Sequence, residues 1–105
     1  MRDYILALPV VQRAKVFAYL HHLETMGPQM RRPMADYMGE RSGLYELRPG
    51  RNRIIYFFFH RDKVILLHAF LKKTDAISEA DIRIAEDRKD MCETLGKYQM
   101  IDYEE

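Results

Sequence analysis

Cysteine is nearly absent from this 105-residue chain, with Cys92 standing alone. One thiol excludes an internal disulfide and points to a reducing, cytoplasmic setting. Long apolar runs are missing too. None approaches the roughly 18 residues that cross a bilayer, and the first residues carry no signal-peptide pattern, so no membrane association is expected. Metal-ligand spacing is equally scarce: His21 and His22 are adjacent, about 100° apart on a helix, and neither HxxxH nor CxxC occurs. No metal and no cofactor is expected. What is present is a globular composition, 48% hydrophobic and 31% charged, too apolar for a disordered chain. The length predicts one domain, residues 1–105, with a single core of two packed layers.

The small net charge of +1 hides a segregation. Residues 48–73 hold seven Lys/Arg (Arg48, Arg51, Arg53, Arg61, Lys63, Lys72, Lys73) against Asp62 alone, a net of +6. Residues 74–105 hold four bases and ten acids, a net of −6. A basic middle and an acidic end allow a charge-lined surface without an extreme isoelectric point.

After a short amphipathic lead-in over residues 2–8, Pro9 suits a helix start and Gly27-Pro28 a stop. Between them Val16, Leu20 and Leu23 line one stripe, flanked by Phe17 and Tyr19. Residues 28–43 read as a loop with at most one helical turn near Pro33–Met38. Met26, Met30, Met34 and Met38 recur every four residues, as an adaptable contact surface or as core filler. Three strands follow: Leu44–Arg48, Arg53–Phe59 and Lys63–Phe70, with Pro49-Gly50-Arg51-Asn52 as the first turn. Ser78-Glu79-Ala80-Asp81 resembles a capping box opening a helix that ends at Gly96. On that helix Ile77, Ile84 and Met91 recur every seven residues, and Arg88 and Leu95 extend the stripe. Residues 97–105 form an acidic tail expected to fray. The predicted fold is α+β: a small antiparallel three-stranded meander packed against N-terminal and C-terminal helices.

Strand alternation places the charges. A turn at 49–52 makes Arg48 and Arg53 cross-strand neighbours, with Glu46 and Ile55 beside them on the same face. A two-residue turn at Arg61-Asp62, the register expected here, sets Ile55 opposite His68 and Arg53 opposite Phe70. The other face then carries Tyr45, Leu47, Ile54, Tyr56, Phe58, Ile65 and Leu67, suited to lie under a helix. A three-residue turn would instead shift the third strand by one and send His68 to that core face. Arg48 beside Arg53 is unfavourable unless something neutralises the pair. Either both are wet residues at a turn, partly balanced by Glu46, or they hold an anion such as phosphate. The aromatic rings between further basic residues favour nucleic acid.

Taken together, "GLYELR", "RIIYFFF" and "VILLHAFLKKTDAISEADIRIAEDR" resemble the phage-derived, HigB-like branch of the RelE/ParE toxin superfamily, the toxins of type II toxin–antitoxin systems. The ordered match runs from about Tyr4 to Arg88 and includes the "LP" opening and "GP" stop of the first helix. The resemblance implies a ribosome-dependent mRNA endonuclease that uses no metal, with a ribose 2′-hydroxyl attacking the adjacent phosphate to leave a cyclic phosphate. It implies helices on one side of the sheet and a basic concave face on the other. It also implies a helix-turn-helix antitoxin as partner, besides ribosome and mRNA, and a dimer or a toxin–antitoxin hetero-oligomer as assembly. Arg53 matches the family's strand-opening arginine, and Lys72 and Lys73 match its Lys-Lys.

Such chemistry needs a proton acceptor, cations on the phosphate and a proton donor for the leaving oxygen. Arg48 and Arg53 suit charge stabilisation, Lys73 proton transfer, and His68 acid–base work. His68 also reads plainly as a strand histidine satisfied by a backbone group or Glu46. Arg51, Arg61, Lys63, Lys72 and Arg88 complete the expected RNA-binding set, although Arg88 on an apolar stripe also reads as a buried stem with its head at the rim. Three departures stand out. Relatives usually begin with a further strand before the first helix, whereas this chain starts at Met1-Arg2-Asp3-Tyr4. Some carry a tyrosine early in the last helix, where Ser78-Glu79-Ala80 stands here. Others end that helix with Arg-x-x-Asp-Tyr, which reads Arg88-Lys89-Asp90-Met91 here. Two further functions fit the same fold: a degenerate, non-catalytic binding module, and a gyrase-binding, ParE-like toxin.

Overall fold

Pro9 lacks an N–H and so costs nothing just before a helix, where its carbonyl accepts from the Arg13 N–H at 2.8 Å. In the computed structural model, which describes residues 2–39, 43–60, 63–74 and 76–98, that helix is α2, Val10–Met26. A five-residue helix α1, Arg2–Leu6, precedes it. Gly27 ends α2 at φ 58°, ψ −136°, a conformation essentially reserved for glycine. The predicted stripe of Val16, Leu20 and Leu23 is the buried face.

Among the described residues the sheet holds four strands, one more than expected. β1 (Ala35–Tyr37) lies within the segment expected to be a loop and pairs with β2 (Tyr45–Leu47). β3 (Asn52–Phe59) and β4 (Lys63–Leu71) complete an antiparallel sheet in the order β1-β2-β3-β4. β1 is only three residues long, and its backbone pairing with β2 outweighs the weak strand pattern of its sequence. α3, Glu79–Leu95, follows and is capped by Ser78, whose Oγ accepts from the Asp81 N–H at 3.1 Å.

The sheet is covered on both faces. Leu47, Ile54 and Tyr56 pack with Ile5, Val16, Leu20 and Leu23. Ile55, Phe57 and Leu67 pack with Ala85 and Cys92 of α3. The expected one-sided arrangement, with a bare basic face, gives way to a helix on each side. β3 is apolar on both faces, and each face needs cover to bury it.

The β3–β4 register combines both expected turns. Phe59 pairs with Lys63, so three residues, 60–62, join the strands. A β-bulge then restores the register, with Tyr56 opposite Leu66 but Ile55 opposite His68 and Arg53 opposite Phe70. The extra residue, Leu67, puts both Leu67 and His68 on the α3 side. Leu67 and Ile65 therefore leave the face expected for them and join the α3 cluster.

α3 buries Ile82, Ala85 and Cys92. Of the residues expected to form its core stripe, Ile84, Met91 and Leu95 are instead exposed, at 37%, 60% and 58%, while Ile77, just before the helix, packs partly against the α3 cluster. The buried face lies about 100° around the helix, at 3.6 residues per turn. Its small residues let the helix sit close on the sheet. The four spaced methionines also separate. Met30 is buried with α2, Met34 packs partly against the same cluster, Met38 packs on the α3 side and Met26 is exposed.

Candidate functional site

Parity and the bulge gather Glu46, Arg53, His68 and Phe70 on the α3 side of the sheet, at the end where β2 turns into β3. The turn there is closed by the Asn52 N–H to the Pro49 carbonyl at 3.2 Å, with Gly50 at φ 66°. Asn52 is buried and ties this turn to the N-terminal helices. Its Oδ1 accepts from the Tyr4 hydroxyl at 2.7 Å, and its Nδ2 donates to Gln12 at 3.3 Å.

The unfavourable Arg48–Arg53 adjacency has a specific neutraliser. Arg48 Nε donates to Glu46 Oε1 at 2.6 Å, and Arg53 Nε lies 3.9 Å from Glu46 Oε2. β1 adds the next rung. Asp36, opposite Glu46, lies 3.7 Å from Arg48 and takes a 2.6 Å bond from Arg32. Three arginines and two carboxylates thus alternate across β1, β2 and β3. The hydrogen bond from Arg32, with the charges of Arg32 and Arg48, holds Asp36 below the usual carboxylate range.

The two predicted phosphate-holding arginines differ in access. The Arg53 side chain is 10% exposed, and its guanidinium donates to the carbonyls of Gly50 at 2.6 Å and Asn52 at 2.9 Å. Burial depresses its pKa below the ordinary arginine value, Glu46 opposes this and Arg48 adds to it. The Arg48 side chain is 32% exposed and forms the open edge of the pair.

His68 is 15% exposed and its ring stacks on Phe70 with centroids 5.6 Å apart. Its partner is neither Glu46 nor backbone. Nε2 lies 2.7 Å from Oδ1 of Asp81, in the first turn of α3, and the Ser78 hydroxyl donates to Oδ2 at 2.7 Å. Burial works to raise the Asp81 pKa, but the bonds from His68 and Ser78 and the charge of His68 bring it below the ordinary value. Seven residues on, Arg88 reaches the same bulge and donates to the Leu67 carbonyl at 2.8 Å. Its head thus sits at the helix rim, beside His68.

Other predicted residues stand further out. Lys72 and Lys73 follow the end of β4, and the Lys72 N–H donates to the Arg51 carbonyl at 2.8 Å, so all three border the cluster. Lys73 and Arg51 are exposed. Lys63 is at the opposite end of β4, roughly 20 Å from Phe70 at strand rise. Arg61 lies outside the described residues, as do residues 99–105 of the expected tail. The residues missed from sequence are Asp81, Asn52, and the Arg32 and Asp36 of the ladder. Asp81 is visible there only as a capping-box acid, while Asn52 reads as an ordinary turn residue. Among the described residues no group of three or more His, Cys, Asp or Glu could hold a metal, and no helix is long and apolar enough to cross a membrane.

A search of curated proteins finds no match. A family model does match, over residues 3–90, and its description is "Phage derived protein Gp49-like (DUF891)". That span covers the helices, the whole sheet and most of α3, including every residue of the cluster. The chain belongs to this phage-derived Gp49-like family, one of RelE/HigB-like toxins.

Proposed function

We propose that the protein is a HigB-like toxin of a type II toxin–antitoxin system that cuts mRNA on the ribosome without a metal. The observation that carries this reading is the convergence of Arg48, Arg53 and His68 on one end of one sheet face, bordered by Lys72 and Lys73. In the reaction, the ribose 2′-oxygen bonds to phosphorus as the bond from phosphorus to the 5′-oxygen breaks. His68 takes the 2′-hydroxyl proton and Lys73 gives one to the departing 5′-oxygen, leaving a cyclic phosphate and a 5′-hydroxyl. Arg48 holds the phosphate oxygens at the open edge, and Arg53 supplies positive potential from beneath. An antitoxin with a helix-turn-helix domain would cover this end of the sheet, and the place of action is the cytoplasm.

Induction in a bacterial host tests this. Growth arrest with cleaved mRNA carrying 5′-hydroxyl ends, unchanged by a chelator in vitro, is the expected result. Intact mRNA during arrest would overturn it and favour a protein target such as gyrase. One observation favours a non-catalytic binding module: Glu46 and Asp36 already occupy Arg48 and Arg53. Induction without any growth arrest would decide for that reading.

A further inference from the structure

We propose that Asp81 is the positioning residue of the site, holding the His68 ring by Nε2 so that Nδ1 is the nitrogen that receives the substrate proton. The proposal rests on the nuclease reading for its purpose, and on geometry for its content. Three features converge. The bulge at Leu67 keeps His68 on the α3 face despite the three-residue connection. Asp81 meets Nε2 at 2.7 Å, and Ser78 fixes the second carboxylate oxygen at 2.7 Å. Arg88 fastens α3 to the carbonyl of the bulge residue itself, so helix and histidine are held in one register.

The direction of the proton follows. An ionised carboxylate only accepts hydrogen bonds, so a neutral His68 must carry its proton on Nε2. Among the described residues no hydrogen bond reaches Nδ1. When Nδ1 takes the 2′-hydroxyl proton the ring becomes a cation, and the Asp81 carboxylate beside it stabilises that charge. Other charged groups on this face include Arg88 of α3, which bonds the Leu67 carbonyl, and Arg53 of β3 and Glu46 of β2, which are paired with each other. Asp81 is thus the negative charge bonded to the imidazole.

Nitrogen-15 NMR of the histidine ring tests this without reference to activity. Wild-type protein at neutral pH should show the Nε2–H tautomer for His68. Asp81→Asn should shift it toward a mixture. Ser78→Ala, which removes the helix cap but keeps the carboxylate, should leave the tautomer unchanged. Cleavage by Asp81→Asn should fall by about 100-fold in kcat with KM held within about 2-fold, as loss of assisted proton transfer predicts. A wild-type Nδ1–H tautomer overturns the proposal, whether or not Asp81→Asn folds. So does a Ser78→Ala spectrum altered as much as that of Asp81→Asn, which would make the effect one of helix-end structure. A wild-type protein that cuts no RNA overturns the nuclease reading instead, and the tautomer measurement still decides the placement.

Discussion

At the scale of single residues, the two arginines that look alike in sequence should fail differently. Arg53 is buried, and its guanidinium serves two carbonyls and faces Glu46. Arg53→Ala leaves the buried Asn52 carbonyl and the more open Gly50 carbonyl without this donor and strips Glu46 of one cation, at a cost of about 3–5 kcal/mol. Arg48→Ala, at the open edge, should cost less, about 1–2 kcal/mol, because it takes one donor from the buried Glu46 carboxylate but leaves Arg53 beside it. Urea denaturation of the two variants separates them, and equal losses would contradict the difference in burial. A toxicity test on Arg53→Ala would confuse unfolding with lost chemistry, whereas Arg48→Ala with Lys73→Ala avoids this. Asp81 makes a prediction of known sign. Its folded pKa is below the unfolded value of about 3.9, so its contribution is present above pH ~4 and is lost as pH falls through the folded pKa. Asp36 acts in the same direction. Between about pH 5 and about pH 2.5, the urea midpoint of Asp81→Asn should therefore fall less than that of wild type. A parallel fall in both would remove Asp81 from the acid limb.

At the scale of elements, legibility depends on whether pattern or packing sets the outcome. α2 is readable because Pro9 and Gly27 mark its ends and the stripe of Val16, Leu20 and Leu23 is its buried face, while Val10, Val11 and Met26 near the ends stay exposed. β2 and β3 are readable because alternation and one turn fix their register. The register of β4 at His68 agrees with expectation by a different route, since a longer connection and a bulge cancel. No residue type announces that bulge. α3 misleads for a related reason. Ile84, Met91 and Leu95 are the most apolar residues by spacing, yet the sheet selects the face of Ala85 and Cys92, where the helix can approach closely. At the site, the arginines and His68 are legible from strand parity, whereas Asp81 is not, because its bond to His68 spans 13 residues of sequence. A direct consequence is that Met91→Lys should change stability by no more than about 0.5 kcal/mol. Ala85→Leu, forced between α3 and the sheet, should cost about 1–3 kcal/mol. The opposite order in thermal unfolding would mean that α3 packs by its heptad stripe.

At the scale of the whole molecule, segregated charge does not leave a bare cationic surface. The acidic C-terminal segment supplies α3, which covers one face of the sheet and places Asp81 on His68. Glu46 and Asp36 interleave with Arg32, Arg48 and Arg53, leaving that network a net charge of only +1. RNA affinity should then depend most on the exposed bases bordering the cluster. Removing a side chain that neutralises one phosphate of a single strand lowers the slope of log K against log salt by about 0.7. Lys73→Ala should show that full change. Arg48→Ala should show less, because Glu46 and Asp36 already neutralise much of its charge, so it displaces less than one full cation from the phosphate. Titrating a fluorescent single-stranded RNA from about 50 to about 200 mM salt measures both slopes. If Arg48→Ala gave the larger slope change, the ladder of carboxylates would be displaced on binding, and the phosphate would take the place of Glu46.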